Sequence, residues 1–99
     1  MEKMSPVHPG EILEEEFLKP LGLSQNKLAI SLNVPPRRIN EIVLKKRRIT
    51  ADTALRLAKY FKMSPQFWLG LQMEFDLDVA MDKLADKLDR EIKSCEAVQ

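Results

Sequence analysis

Apolar residues recur along the chain at intervals of three and four, and no alternating stretch is long enough for a strand, so the pattern predicts helix after helix. Pro9-Gly10 opens the first helix. Glu11 and Glu14 to Glu16 load its early turns with the negative charge that suits the positive end of a helix dipole. Ile12, Leu13 and Phe17 form its inner stripe, and Pro20 and Gly22 are expected to stop it. Ser24 is placed to cap a short second helix with Leu28, Ala29 and Leu32 facing inward. It ends at Asn33-Val34, where Asn tolerates the left-handed backbone of a tight turn. Pro35-Pro36 begins a third helix, with Ile39, Ile42 and Val43 on one face and Arg37, Arg38, Asn40 and Glu41 left to project.

Beyond the run Lys45-Lys46-Arg47-Arg48, Thr50 is read as the cap of a fourth helix whose buried stripe is Ala54, Leu55, Ala58 and Phe61. Ser64-Pro65 starts a fifth, carrying Leu71, Phe75 and the core anchors Phe67 and Trp68. From Asp76 the pattern changes. Leu77, Met81, Leu84, Leu88 and Ile92 follow at steps of four, three, four and four, near the repeat of a coiled-coil seam. Asp86/Arg90 and Asp89/Lys93 sit outside it at i, i+4. This stretch either continues the fifth helix or forms another capped by Asp76 or Asp78. Its seam either packs on its own core or pairs with a second copy through Leu77, Met81, Leu84 and Leu88, the reading adopted. The expected organisation is all-α: a domain over 1–75 with a helix-turn-helix unit at 24–43, then a helical extension over 76–99 that dimerises and frays at its end.

Composition narrows the function. Ninety-nine residues suit one core and are few for a two-domain enzyme. No apolar run approaches the roughly 18 residues of a membrane span, and the Met1–Pro6 stretch has no signal-peptide core, so no membrane association is expected. The lone Cys95 can form no internal disulfide, which points to a reducing, cytoplasmic setting. There is no glycine-rich phosphate loop, no metal-ligand cluster and no nucleophile paired with a base, so neither catalysis nor a cofactor nor a metal is expected. His8, the single histidine, is given a structural role, and Glu14 to Glu16 are read as a solvated face or, less simply, an acidic surface that binds a protein partner.

The net charge of +1 hides a partition. Residues 1–20 carry five acids and two bases, a balance of −3; residues 21–63 carry ten bases and two acids, +8; residues 64–99 carry four bases and eight acids, −4. A basic middle between acidic ends is the electrostatic footprint of a compact nucleic-acid reader. Within it, residues 24–43 have the helix-turn-helix layout: a helix narrow enough for the major groove, preceded by one that crosses the phosphate backbone. Ser24, Gln25, Asn26 and Lys27 are suited to bond phosphates. Arg37 or Arg38 could grip guanine bidentately or clamp a phosphate, and Asn40 is counted with them. Lys45, Lys46, Arg47 and Arg48 would add salt-sensitive affinity.

Several stretches resemble the HigA-type antitoxins of the lambda-repressor-like (Xre) family: His8-Pro9-Gly10-Glu11-Ile12-Leu13, Leu21-Gly22-Leu23-Ser24-Gln25-Asn26-Lys27-Leu28-Ala29, Pro35-Pro36-Arg37-Arg38-Ile39-Asn40-Glu41-Ile42, Ile49-Thr50-Ala51-Asp52-Thr53-Ala54-Leu55-Arg56-Leu57-Ala58 and Ser64-Pro65-Gln66-Phe67-Trp68-Leu69. The resemblance implies a five-helix lambda-repressor-like DNA-binding domain, a homodimer, repression at a palindromic operator in its own promoter, and neutralisation of a RelE-like ribonuclease toxin. It places base readout on Pro36, Arg37, Arg38 and Glu41, and phosphate contact on Gln25, Asn26 and the basic loop. The family usually has glycines after the recognition helix and before Ile-Thr, whereas Leu44-Lys45-Lys46-Arg47-Arg48 has none. Either that helix runs on by a turn, or a lysine takes the left-handed conformation. The alternatives are a protein-interaction module that has lost DNA binding and a stand-alone Xre-type regulator with no toxin.

Overall fold

Four left-handed residues divide the chain into five helices in the computed structural model, which describes residues 5–96: Gly22 (φ 62°), Asn33 (57°), Lys45 (66°) and Lys62 (56°). Each turns the backbone so that the next amide reaches back five residues. Leu23 bonds the Leu18 carbonyl at 2.9 Å, Val34 that of Ala29 at 3.0 Å, Lys46 that of Glu41 at 2.8 Å and Met63 that of Ala58 at 2.9 Å. These are Schellman closures, which satisfy carbonyls that a helix end leaves orphaned. No strand occurs among the described residues. The outer ends of the two expected segments, and the fraying expected of the last residues, lie outside them.

The first helix, α1, runs over 9–21 in three pieces: an α-turn Pro9–Ile12, a π-helical stretch Leu13–Leu18, and a last turn Lys19–Leu21. His8 caps it, its Nδ1 accepting the Gly10 N–H at 2.9 Å. The expectation that Pro20 stops the helix is corrected: Pro20 lies within it and Gly22 alone ends it. In the π stretch the Lys19 N–H bonds the Glu14 carbonyl, five residues back. That wider turn displaces the carbonyl a proline ring would strike in an α-helix. It also buries Leu13 and Leu18, five apart, on one face, with Phe17 and Ile12 only half-buried.

Helix α2, Gln25–Leu32, starts at Ser24, whose Oγ accepts the Lys27 N–H at 3.0 Å. Helix α3, Pro36–Val43, starts at the two prolines and ends at Lys45, which takes the left-handed conformation in place of the missing glycine. Helix α4, Ala51–Phe61, begins at Thr50, but the threonine side chain makes no capping bond. The inner face of α4 also differs from expectation. Leu55 is 60% exposed, and Leu57, fully buried, takes its place with Thr53, Ala54 and Ala58. Positions 54, 57, 58 and 61 follow the i, i+3, i+4, i+7 stripe, from which 55 falls away.

Helix α5, Pro65–Glu91, is a single 27-residue rod capped by the Ser64 hydroxyl, so neither Asp76 nor Asp78 starts a new helix. Ile92 and Lys93 lie beyond its end, which removes Ile92 from the expected seam and Lys93 from the expected helical pair with Asp89. Trp68 is fully buried at the centre of the core, its ring 5.0 Å from that of Phe17, whereas Phe67, expected as a second anchor, is 41% exposed. Leu13, Leu18, Leu28, Ala29, Leu32, Ile39, Ile42, Ile49, Ala54 and Leu57 complete the core. No helix among the described residues is long and apolar enough to cross a membrane.

Candidate nucleic-acid interface

The α2–turn–α3 unit is held by its own polar residues at one end and by the core at the other. Leu28, Ala29, Leu32, Ile39 and Ile42 are all buried, which fixes both helices against the domain by their inner faces. At the outer end, Asn40 Nδ2 donates to Gln25 Oε1 at 2.6 Å, joining the middle of α3 to the start of α2. Gln25 in turn donates to Glu14 of α1 at 3.4 Å. Gln25 and Asn40, both expected at the interface, are therefore half-buried partners that lock the two helices together. Ser24 is exposed but committed to its cap, and Asn26 and Lys27 stand exposed beside it.

The start of α3 projects. Pro36 is exposed, and the Arg37 side chain is 82% exposed, with its Nε donating to Glu41 Oε2 at 2.8 Å. Glu41 receives a second arginine from the loop: Arg47 donates through Nε at 2.9 Å to the other carboxylate oxygen, Oε1. The two arginines hold the Glu41 carboxyl below its usual range, Arg37 most strongly, and the same bond raises Arg37. Arg38 is tied elsewhere. It bonds Asp52 of α4, which also takes Arg56 Nε at 3.0 Å. Arg56 and then Arg38 hold the Asp52 carboxyl low. Arg56 donates further to the Leu32 carbonyl at 2.9 Å, closing the C-terminal end of α2.

The basic loop is distributed in the same way. Lys45 Nζ lies 3.8 Å from Glu11 of α1. Arg48 grips Asp76 of α5 at 2.7 Å, holding that carboxyl low. Gln72, buried on α5, donates to Asp76 at 3.0 Å and accepts the Ile49 N–H at 2.8 Å, so the end of the loop is anchored to the long helix. Lys46 is exposed. Of the residues expected at the interface, the structure brings Pro36, Arg37, Glu41 and Arg47 together at one outer edge. It places Asn26 and Lys27 at the start of α2 and turns Lys45 back toward α1. The Arg38–Asp52–Arg56 tie escapes sequence reading, because only the i, i+4 spacing of Asp52 and Arg56 announces half of it.

His8 is buried, and its ring meets Phe75 edge-on at 4.9 Å. Burial, and then the nearby Lys45 charge, push its pKa down, against a smaller upward pull from Asp76. Among the described residues, no group of three or more His, Cys, Asp or Glu could hold a metal ion. Cys95 is an exposed thiol beyond the end of α5.

The Helix-turn-helix family model matches residues 15–68, which contain the whole α2–turn–α3 unit. Virulence-associated protein I of Dichelobacter nodosus is 58% identical over 78 residues, 79% of this chain and 72% of that protein. Two solved structures are similar over nearly the whole chain. One is an addiction module antidote protein of a HigA family from Coxiella burnetii, with a TM-score of 0.88 and 46% identity, covering 93% of this chain and all of that one. The other is the Pseudomonas aeruginosa antitoxin HigA with the higBA promoter, at 0.86 and 43%, covering 89% and 96%.

Proposed function

Because the chain belongs to the helix-turn-helix family, in the branch that holds the HigA antitoxins, we propose that it is a sequence-specific transcriptional repressor serving as the antitoxin of a type II toxin–antitoxin pair. Helix α3 enters the major groove by its first turns, with Arg37 reaching a base edge. The start of α2, through Asn26 and Lys27, lies along one phosphate backbone, and Lys46 and Arg47 lie along the other side of the groove. The observation that carries this reading is the exposed first turn of α3, with Arg37 82% in solvent and exposed cations on either side of it. The Pseudomonas protein was solved with promoter DNA, which supports the same partner for this chain.

Dimerisation falls to α5. Leu77, Met81, Leu84 and Leu88 are 61, 51, 39 and 37% exposed, so this face is not folded back on the core. Pairing with a second copy removes it from water and presents two α3 helices to half-sites of a palindrome about one turn of DNA apart. The chain acts as a binder, without cofactor or catalysis, in the cytoplasm. Its protein partner is a RelE-like ribonuclease whose operon it represses.

The test is a mobility shift with duplex DNA from immediately upstream of its own coding sequence, repeated across salt. A shift that weakens steeply with salt and exceeds that on random duplex is expected. No shift even at low salt contradicts the repressor reading and leaves a protein-interaction module.

A further inference from the structure

We propose that Glu41 is a specificity-determining positioning residue, which fixes the direction of Arg37 and Arg47 before DNA arrives and suppresses binding to phosphates alone. This rests on the DNA-binding reading above. Both carboxylate oxygens are occupied, Oε2 by Arg37 Nε at 2.8 Å and Oε1 by Arg47 Nε at 2.9 Å and its terminal nitrogen at 2.8 Å. The carboxylate is the most covered of the three, its side chain 24% exposed against 82% for Arg37 and 43% for Arg47. The acid therefore sits beneath two guanidinium groups that face outward.

The backbone reinforces the arrangement. The left-handed turn at Lys45 sends the Lys46 N–H back to the Glu41 carbonyl at 2.8 Å, so one residue anchors the loop by its main chain and by its side chain. Two consequences follow. A carboxylate with both oxygens engaged is a poor acceptor for a base amine, so Glu41 acts through the arginines. Arg37, held through Nε, keeps its two terminal nitrogens outward, the edge that fits the paired acceptors of guanine, whereas Arg47 commits one terminal nitrogen to the carboxylate as well. A phosphate can take the same edge, but it must compete with the carboxylate for the same charge. The trio carries one net positive charge instead of two, which lowers counterion release on any duplex.

The experiment compares wild type, Glu41→Gln and Glu41→Asp on two duplexes of equal length, one from immediately upstream of the coding sequence and one of random sequence, across a salt series. Gln keeps the shape and removes the charge. Glu41→Gln is expected to bind random duplex about 3- to 10-fold more tightly, with a salt slope steeper by about 0.9, the value of one more phosphate contact. Its preference for the upstream duplex falls. Glu41→Asp, which keeps the charge, stays near wild type on random duplex in both affinity and slope. Equal changes on both duplexes with an unchanged slope overturn the proposal, as does weaker binding of Glu41→Gln to the upstream duplex alone with random-duplex affinity unchanged, which would make Glu41 a base acceptor. Wild type that shifts neither duplex refutes the DNA-binding reading itself; wild type that shifts its upstream DNA while Glu41→Gln behaves identically refutes only this role.

Discussion

Gly10 lies against the backbone of Ile42: a Cβ on Gly10 would stand 1.8 Å from the Ile42 carbonyl oxygen, 2.7 Å from its carbon and 3.1 Å from the Cα of Val43. Helices α1 and α3 therefore touch main chain to main chain, and the seat of α3 depends on the absence of one methyl group. Backbone atoms cannot swing aside as a side chain tip can. Gly10→Ala is expected to push the helices apart and cost about 3 kcal/mol, the upper end of overpacking penalties. Thermal unfolding measures it. A midpoint within about a degree of wild type would show that α3 does not rest on this contact.

Lys62 holds a left-handed conformation that costs an L-residue about 1–2 kcal/mol, and glycine would be relieved of it. Glycine also gains freedom in the unfolded chain, which offsets about half of that. Lys62→Gly should thus stabilise the domain by about 0.5–1 kcal/mol in urea denaturation. A loss of stability would mean that the turn is held in place by the lysine side chain.

His8 gives acid sensitivity with a definite sign. Its folded pKa lies below the ordinary value, through burial first and Lys45 second, so folding favours the neutral ring. The stabilisation is complete above the unfolded pKa of about 6.5 and is lost as pH falls from there through the lowered folded value. Protonation of Nδ1 also removes the acceptor that caps α1 at Gly10. Unfolding free energy should decline as pH falls through about 6.5 and below, and His8→Asn, which retains a capping oxygen, should flatten that decline. Equal slopes for the two proteins would assign the acid sensitivity to other groups.

Helix α5 is about 40 Å long, and residues 81–91 are exposed all round. Leu84→Asp combined with Leu88→Asp places two charges on the apolar stripe while sparing the core. Sedimentation is expected to show a monomer with the thermal stability of an intact core. A double variant that still sediments as a dimer would move the interface elsewhere.

What the sequence revealed was local chemistry. Ser24, Ser64 and the Pro35-Pro36 pair mark helix starts because the residues that satisfy the first amides are adjacent in the chain. Asn33 marks its turn for the same reason; at Lys45 only the missing glycine of the resembled family hinted at a left-handed lysine, and Lys62 occupies an equivalent turn without any compositional sign. Pro20 misled because a π stretch, set by which leucines the core accepts, decides whether a proline breaks the helix. Leu57, not Leu55, fills the inner face of α4, as its i+3 spacing from Ala54 favours. At the interface, the exposed Arg37 followed from its place at the start of α3. The ties Arg38–Asp52 and Arg48–Asp76 span 14 and 28 residues and exist only once the helices pack.

The central claim, that the first turn of α3 reads sequence, is tested most directly by the affinities of wild type and Arg37→Ala for the upstream duplex and for random duplex at one fixed salt. If Arg37 grips a base, the variant loses about 1–3 kcal/mol of its preference for the upstream site, with little change on random DNA. An equal loss on both duplexes, or none on either, would contradict the claim.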